Sequence, residues 1–437
     1  MYISVDTSTL VYGFKNNYLI SDSSFQNITL KSSLPAIIDS KYSNFTINNI
    51  RISNLNLFGG LFNEESNYLF NNVIMKDITT TSRYLLFFTY HNTIFNNVKF
   101  DNINCYGDSG DSSLIFFDSG EKKKLDMNEI IIQNIWSNGP LIKIKGSSSE
   151  LIIQNSTIEK TTIFGPMIEN NSDKSITFIS NVNFMNNVNN NKGNCGSIHL
   201  NYDMNITILE SSFINNNIKS NGGVICIDNI NNLELNIINN TFIKNNAING
   251  GALYLRENNE NKNYDDGSII IKNNVFKENK AENFGGAIYS EYNKMYLANV
   301  ENNTFSLNNA GIMGNIGYSP KNIEKTLFNI KEFNSSINDF TSLTTKPAYI
   351  NITIDTTLRS EIYTGDLFPL KFFLYDELGH LYEDKTKYYS SMTIKVLLRE
   401  KYDENNEMHY KAIENICSFV NGKRIKITLL IYIITDF

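Results

Sequence analysis

The chain has 437 residues, a net charge of −7, 41% hydrophobic residues and 12% aromatic ones, with a pI near 5.3. That balance argues against a basic nucleic-acid groove and against a chain too polar to bury a core. No apolar stretch reaches the ~20 residues of a membrane span, and the four cysteines, Cys105, Cys195, Cys226 and Cys417, are too few and too scattered for a disulfide scaffold or a zinc ribbon.

The N-terminus, MYISVDTSTLVYGF, lacks the basic start and apolar core of a signal peptide. It reads as the middle of a folded region, so the expectation is a fragment of a secreted protein. Strand-like segments then begin near Ser43, Tyr68, Thr93, Glu129 and Glu150.

From there a repeat becomes explicit. Five copies centre on Phe184, Phe213, Phe242, Phe276 and Phe305, at steps of 29, 29, 34 and 29 residues. Three positions after each Phe stands Asn187, Asn216, Asn245, Asn279 or Asn308. A glycine-opened apolar run follows each of the first four, CGSIHL, GGVICI, GGALYL and GGAIYS, and the fifth decays to MGNIGY. In these runs Ile198, Ile225, Leu253, Ile288 and Ile316 open an alternation with one constant apolar side, the mark of a strand buried on one face. The mixed side carries His199, Cys226, Tyr254, Tyr289 and Gly317.

A unit of ~29 residues without helix is too short for a propeller blade of ~40 and suits one coil of a solenoid. Stacked coils put equivalent side chains above one another. The Phe column then fills the interior, and the Asn column turns corners in left-handed backbone and links amide to amide. The predicted fold is all-β: a right-handed parallel β-helix of roughly eleven coils over residues 1–330, clearest over 173–319. After it, spaced strand-like runs from 345 to 437 predict a small immunoglobulin-like β-sandwich.

The alternation of FxxN (Phe184–Asn187 through Phe305–Asn308) with GGVI, GGAL and GGAI resembles the repeats of the chlamydial polymorphic outer-membrane proteins and related β-helix surface proteins. The resemblance implies an extracellular right-handed β-helix acting in adhesion. With its C-terminal region, the chain also looks like the ectodomains of large fungal surface receptors.

Because pectin-degrading enzymes share the β-helix, acidic strand ends need weighing. Asp203, Asp228, Glu257 and Glu291 close the glycine-opened strands with Arg256 beside them, but at unequal offsets from the glycine and with no DxD cluster. A solvated rim is the expectation, with no catalytic residue, metal or cofactor. Gly107-Asp108-Ser109-Gly110 reads as a turn. His91, His199, His380 and His409 look too dispersed for a metal site. Cys195 stands four strand positions from the place aligned with Cys226, ~13 Å along an extended strand and beyond the ~7 Å reach of a disulfide, so the two are expected to stay unpaired.

A ligand face is expected at Tyr254, Tyr289, Arg256, Glu257 and Glu291, with the two tyrosines stacked on an outer surface and Cys226 and His199 continuing their column. N-glycosylation signals begin at Asn239, Asn302 and Asn351, among others. The expected protein is a monomeric, non-catalytic, extracellular or cell-surface scaffold that binds a surface protein or polysaccharide and makes no membrane crossing or nucleic-acid contact. A β-helix polysaccharide lyase or glycoside hydrolase, or the ectodomain of a receptor, is the alternative.

Overall fold

A computed structural model describes residues 9–320 apart from 64, 109, 194 and 259–266, together with 3–5, 342–354, 367–382, 392–395, 410–413, 416–418 and 425–433. The chain winds as a parallel β-solenoid of about eleven turns. One coil shows the plan. Ile198–Asn201 belongs to a 13-stranded sheet; Met204–Leu209, Ser212–Ile214 and Asn217–Ile218 then cross a 24-stranded one. Each strand pairs in parallel with its equivalent one coil away, so Phe184 opposes Phe213 and Phe213 opposes Phe242.

The corners explain the Asn-rich composition. Eleven pairs of residues five apart take the left-handed conformation, from Asp22 and Asn27 through Asn49 and Asn54 to Asn302 and Leu307. Asn is the non-glycine residue best suited to that backbone, and it fills most of these positions. The long strands Asn44–Leu57, Asn67–Thr80 and Thr93–Cys105 bend at these pairs.

This relocates the corner predicted from FxxN. The left-handed residue is the one before the motif asparagine: Asn186, Asn215, Lys244, Glu278 and Leu307. The motif asparagines turn inward and are buried. Asn187, Asn216, Asn245 and Asn279 each donate from Nδ2 to the Oδ1 of the next, ending on Asn308, at 3.0–3.1 Å. Each amide also donates to a main-chain carbonyl of the preceding coil, as Asn216 does to Phe184 O (3.1 Å). A second inward ladder, Asn240–Asn274–Asn303, lies five residues upstream.

Between the ladders the rings of Phe184, Phe213, Phe242, Phe276 and Phe305 stack at 4.7–5.1 Å, within 16° of parallel. Near the N-terminus, Tyr18, Phe45 and Tyr68 stack in a comparable column. One apolar core runs the length of the solenoid.

The 13-stranded sheet ends on Leu343–Thr345. Beyond it, Pro347–Ile354, Leu367–Asp376, Ile425–Ile433 and Tyr410–Ile413 form a four-stranded antiparallel sheet, and Thr393–Lys395 pairs with Ile416–Ser418. These strands do not show an immunoglobulin-like sandwich. No helix among the described residues is long and apolar enough to cross a membrane.

Candidate functional site

The outward side of the 13-stranded sheet gathers the chemistry. Its central positions stack through successive coils as Phe116, Lys143, Glu169, His199, Cys226, Tyr254, Tyr289 and Tyr318. Tyr318 therefore occupies the place assigned from sequence to Gly317, because the last glycine run is shifted by one residue. Tyr254 and Tyr289 stack at 4.8 Å and 11°.

This column is not an exposed aromatic surface. Tyr254, Tyr289 and Tyr318 are 4%, 8% and 2% exposed. Phe284, Ile312, Met313, Leu374 and Tyr382 close over them in a second apolar cluster. The cover comes from the residues before the turning glycines and from the antiparallel region, so a strand-by-strand count could not see it. Burial, with the Glu291 carboxylate second, raises the Tyr254 and Tyr289 phenols well above the usual range. Tyr289 donates its hydroxyl to Glu291 Oε1 at 2.9 Å. Arg256 reaches back one coil, placing Nε 3.0 Å from Asp228 Oδ1 and Nη2 3.1 Å from Oδ2. Glu257 leaves the face: it sits at the corner, opposite Ile230, and helps raise Tyr292. Residues 259–266, between Arg256 and Gly267, lie outside the described residues.

Cys195 and Cys226 correct the expectation of separate thiols. Their Cα atoms are 5.8 Å apart and their sulfurs are joined as a disulfide. The extended-strand estimate failed because Gly196, at φ +77°, turns the chain and folds the residue before it over the outer column. Phe284 does the same one residue before Gly285, at φ +67°, and stacks on Tyr318 of the next coil at 4.3 Å.

The same turn assembles a cluster that sequence spacing missed. Donor atoms of Cys195, His199, Cys226 and Asp228, all buried, lie within 4.8 Å of one another. His199 Nε2 is 3.4 Å from Asp228 Oδ2, and Cys195 Sγ is 3.6 Å from it. His199 is 9% exposed, and neither ring nitrogen makes a hydrogen bond. Among the other histidines, His91 lies in the turn between Tyr84–Thr89 and Thr93–Cys105, edge-on to Tyr42, where burial lowers its pKa, His380 pairs with Asp376 at 3.2 Å, and His409 lies outside the described residues.

Nearby carboxylates are occupied. Asp203 Oδ1 accepts the Asn232 N–H at 2.9 Å, and Glu234 accepts the Asn205 amide. Asn239 and Asn302 are exposed left-handed corner residues, and Asn351 is exposed on an antiparallel strand.

No curated protein and no solved structure matches the chain. One family model does, and its span holds Phe276, Asn279 and the Gly285-Gly286-Ala287-Ile288 run: residues 275–291 match the Chlamydia polymorphic membrane protein repeat.

Proposed function

We propose that this chain is a non-catalytic scaffold displayed at a cell surface, where the flank of the solenoid engages a surface protein or polysaccharide. The observation that carries the reading is the repeat match at residues 275–291 inside a solenoid built from the same unit. A family described as a Chlamydia membrane protein repeat supports a surface or outer-membrane β-helical protein. Adhesion is the finer reading offered here.

The state of the acidic groups favours it over a polysaccharide-cleaving enzyme. Such enzymes hold carboxylates free for Ca²⁺ or for proton transfer. Here Glu291 takes the Tyr289 hydroxyl, and Asp203 caps a backbone amide. The antiparallel pairing of the strands beyond residue 345 is the one feature behind a second reading, an immunoglobulin-type sandwich within the ectodomain of a larger receptor.

The test is to array the purified chain on cell-surface proteins and acidic and neutral polysaccharides, with turnover assayed in parallel with and without Ca²⁺. Saturable binding without turnover is expected. Turnover abolished by Arg256→Ala would replace the scaffold with an enzyme.

A further inference from the structure

We propose that Cys195, His199, Cys226 and Asp228, in the dithiol form, make a binding site for a divalent cation of the zinc class. The four ligands come from two adjacent coils, as Cys-x-x-x-His on one and Cys-x-Asp on the next. His199 and Cys226 are register partners on neighbouring strands. Asp228 follows Cys226 by two residues and so projects on the same side, and the Gly196 turn brings Cys195 in from above.

Chemistry and geometry agree. Two thiolates, an imidazole and a carboxylate form a donor set that zinc takes tetrahedrally, at bond lengths of ~2.0–2.3 Å that place donors roughly 3.5 Å apart. His199 Nε2 and Cys195 Sγ already stand 3.4 Å and 3.6 Å from Asp228 Oδ2. A disulfide on its own gives no role to His199, whose ring nitrogens are buried without a hydrogen bond beside it. Buried polar groups normally have a partner, and a cation supplies one. Loading releases the two thiol protons to solvent. The coordinated ion and its three anionic ligands carry one net negative charge, and Arg256, paired with Asp228, balances it. The disulfide and the metal-bound dithiolate are alternative states of one sulfur pair.

The experiment uses the whole purified chain, stripped with a chelator and reduced with a phosphine, and titrated with Co²⁺ and then Zn²⁺. Co²⁺ should give thiolate charge-transfer absorption and a tetrahedral ligand-field band, both bleached by one equivalent of Zn²⁺. His199→Ala and Asp228→Asn should each weaken Zn²⁺ binding about 10-fold or more, and Arg256→Met about 10-fold. Should those variants not fold, X-ray absorption at the zinc edge of the wild-type chain must fit two sulfur and two nitrogen or oxygen ligands. A shell without sulfur, no charge-transfer band, or affinity indifferent to His199→Ala and Asp228→Asn would overturn the site.

Discussion

Asn216 and Asn245 are joined twice: both the Asn216 backbone N–H and its side-chain Nδ2 donate to Asn245 Oδ1, at 3.1 Å and 3.0 Å. Asn216 in turn receives both donors of Asn187 on its own Oδ1 and gives its second amide hydrogen to Phe184 O. One amide thus satisfies buried groups on the coil before its own and on the coil after it.

Removing it should be costly. Asn216→Ala strands the Phe184 carbonyl and two Asn187 donors in the interior, at about 2–4 kcal/mol. Asn216→Asp should be worse despite its equal size, since a carboxylate oxygen would face the Phe184 and Asn245 oxygens. Asn215→Ala, at the exposed left-handed corner next door, should cost only about 1 kcal/mol. Urea unfolding of the three variants checks the order. Equal losses at 215 and 216 would show that the ladder contributes nothing beyond its corner.

The paired glycines make a second prediction. Gly250 turns at φ +63°, and a Cβ on Gly251 would run into the carbonyl oxygen of Gly286 one coil above. Coils approach too closely there for any side chain. Gly251→Ala should therefore destabilise by at least about 2 kcal/mol, read as a lower urea midpoint and as lost hydrogen-exchange protection on flanking coils first, since repeats couple mainly to neighbours. Gly110→Ala, where the added Cβ meets nothing, should lose only the cost of its positive φ, about 1 kcal/mol.

How far these relationships were legible follows from how local they are. Strand alternation and coil period repeat down the chain, so the Phe, Asn and Ile columns can be read by alignment alone. The left-handed pair five residues apart repeats just as often, but its positions accept Asn, Asp, Glu, Lys and Leu. The motif therefore drew attention to Asn187 and away from Asn186. The Cys195–His199–Cys226–Asp228 cluster hinges on the reversal at Gly196, and reversals break the rise per residue on which spacing arguments rest. Leu374 and Tyr382 join the buried cluster of Tyr254, Tyr289 and Tyr318 from a distant, non-repeating segment, for which no periodic signal exists.

Leu307 offers a gain in stability. It holds φ +54° with its side chain 75% exposed, at the place filled by Asn186 and Asn215 in earlier coils. A branched apolar residue gains nothing there and bears the steric strain of left-handed backbone. Leu307→Asn should stabilise by about 0.5–1 kcal/mol, seen as a higher Tm, with hydrogen-exchange protection rising first around Phe305 and Asn308. An unchanged Tm would mean the last coil frays before the rest unfolds.

Alkaline pH should weaken the fold through groups buried in neutral form. Burial raises the Cys105 thiol from 9.0 to about 12, and burial, with Glu257 and Asp203 behind it, raises Tyr292 from 10.0 to about 12. Both are acids whose folded pKa exceeds the unfolded value, so their stabilising contribution is complete below about pH 9 and is lost as pH climbs toward 12. For fully buried Cys105 the difference is on the order of 4 kcal/mol. Tyr292 rises less, from 10.0 to about 12, so its share is smaller. Urea midpoints should stay level from pH 7 to 9 and then fall. Cys105→Ala should flatten that fall while lowering stability at pH 7 through the cavity it leaves. Tyr292→Phe should be close to neutral at pH 7, because the hydroxyl it removes is buried without a hydrogen bond, and should also blunt the alkaline loss. Midpoints of Cys105→Ala that decline as steeply as wild type above pH 9 would place the titrating group elsewhere.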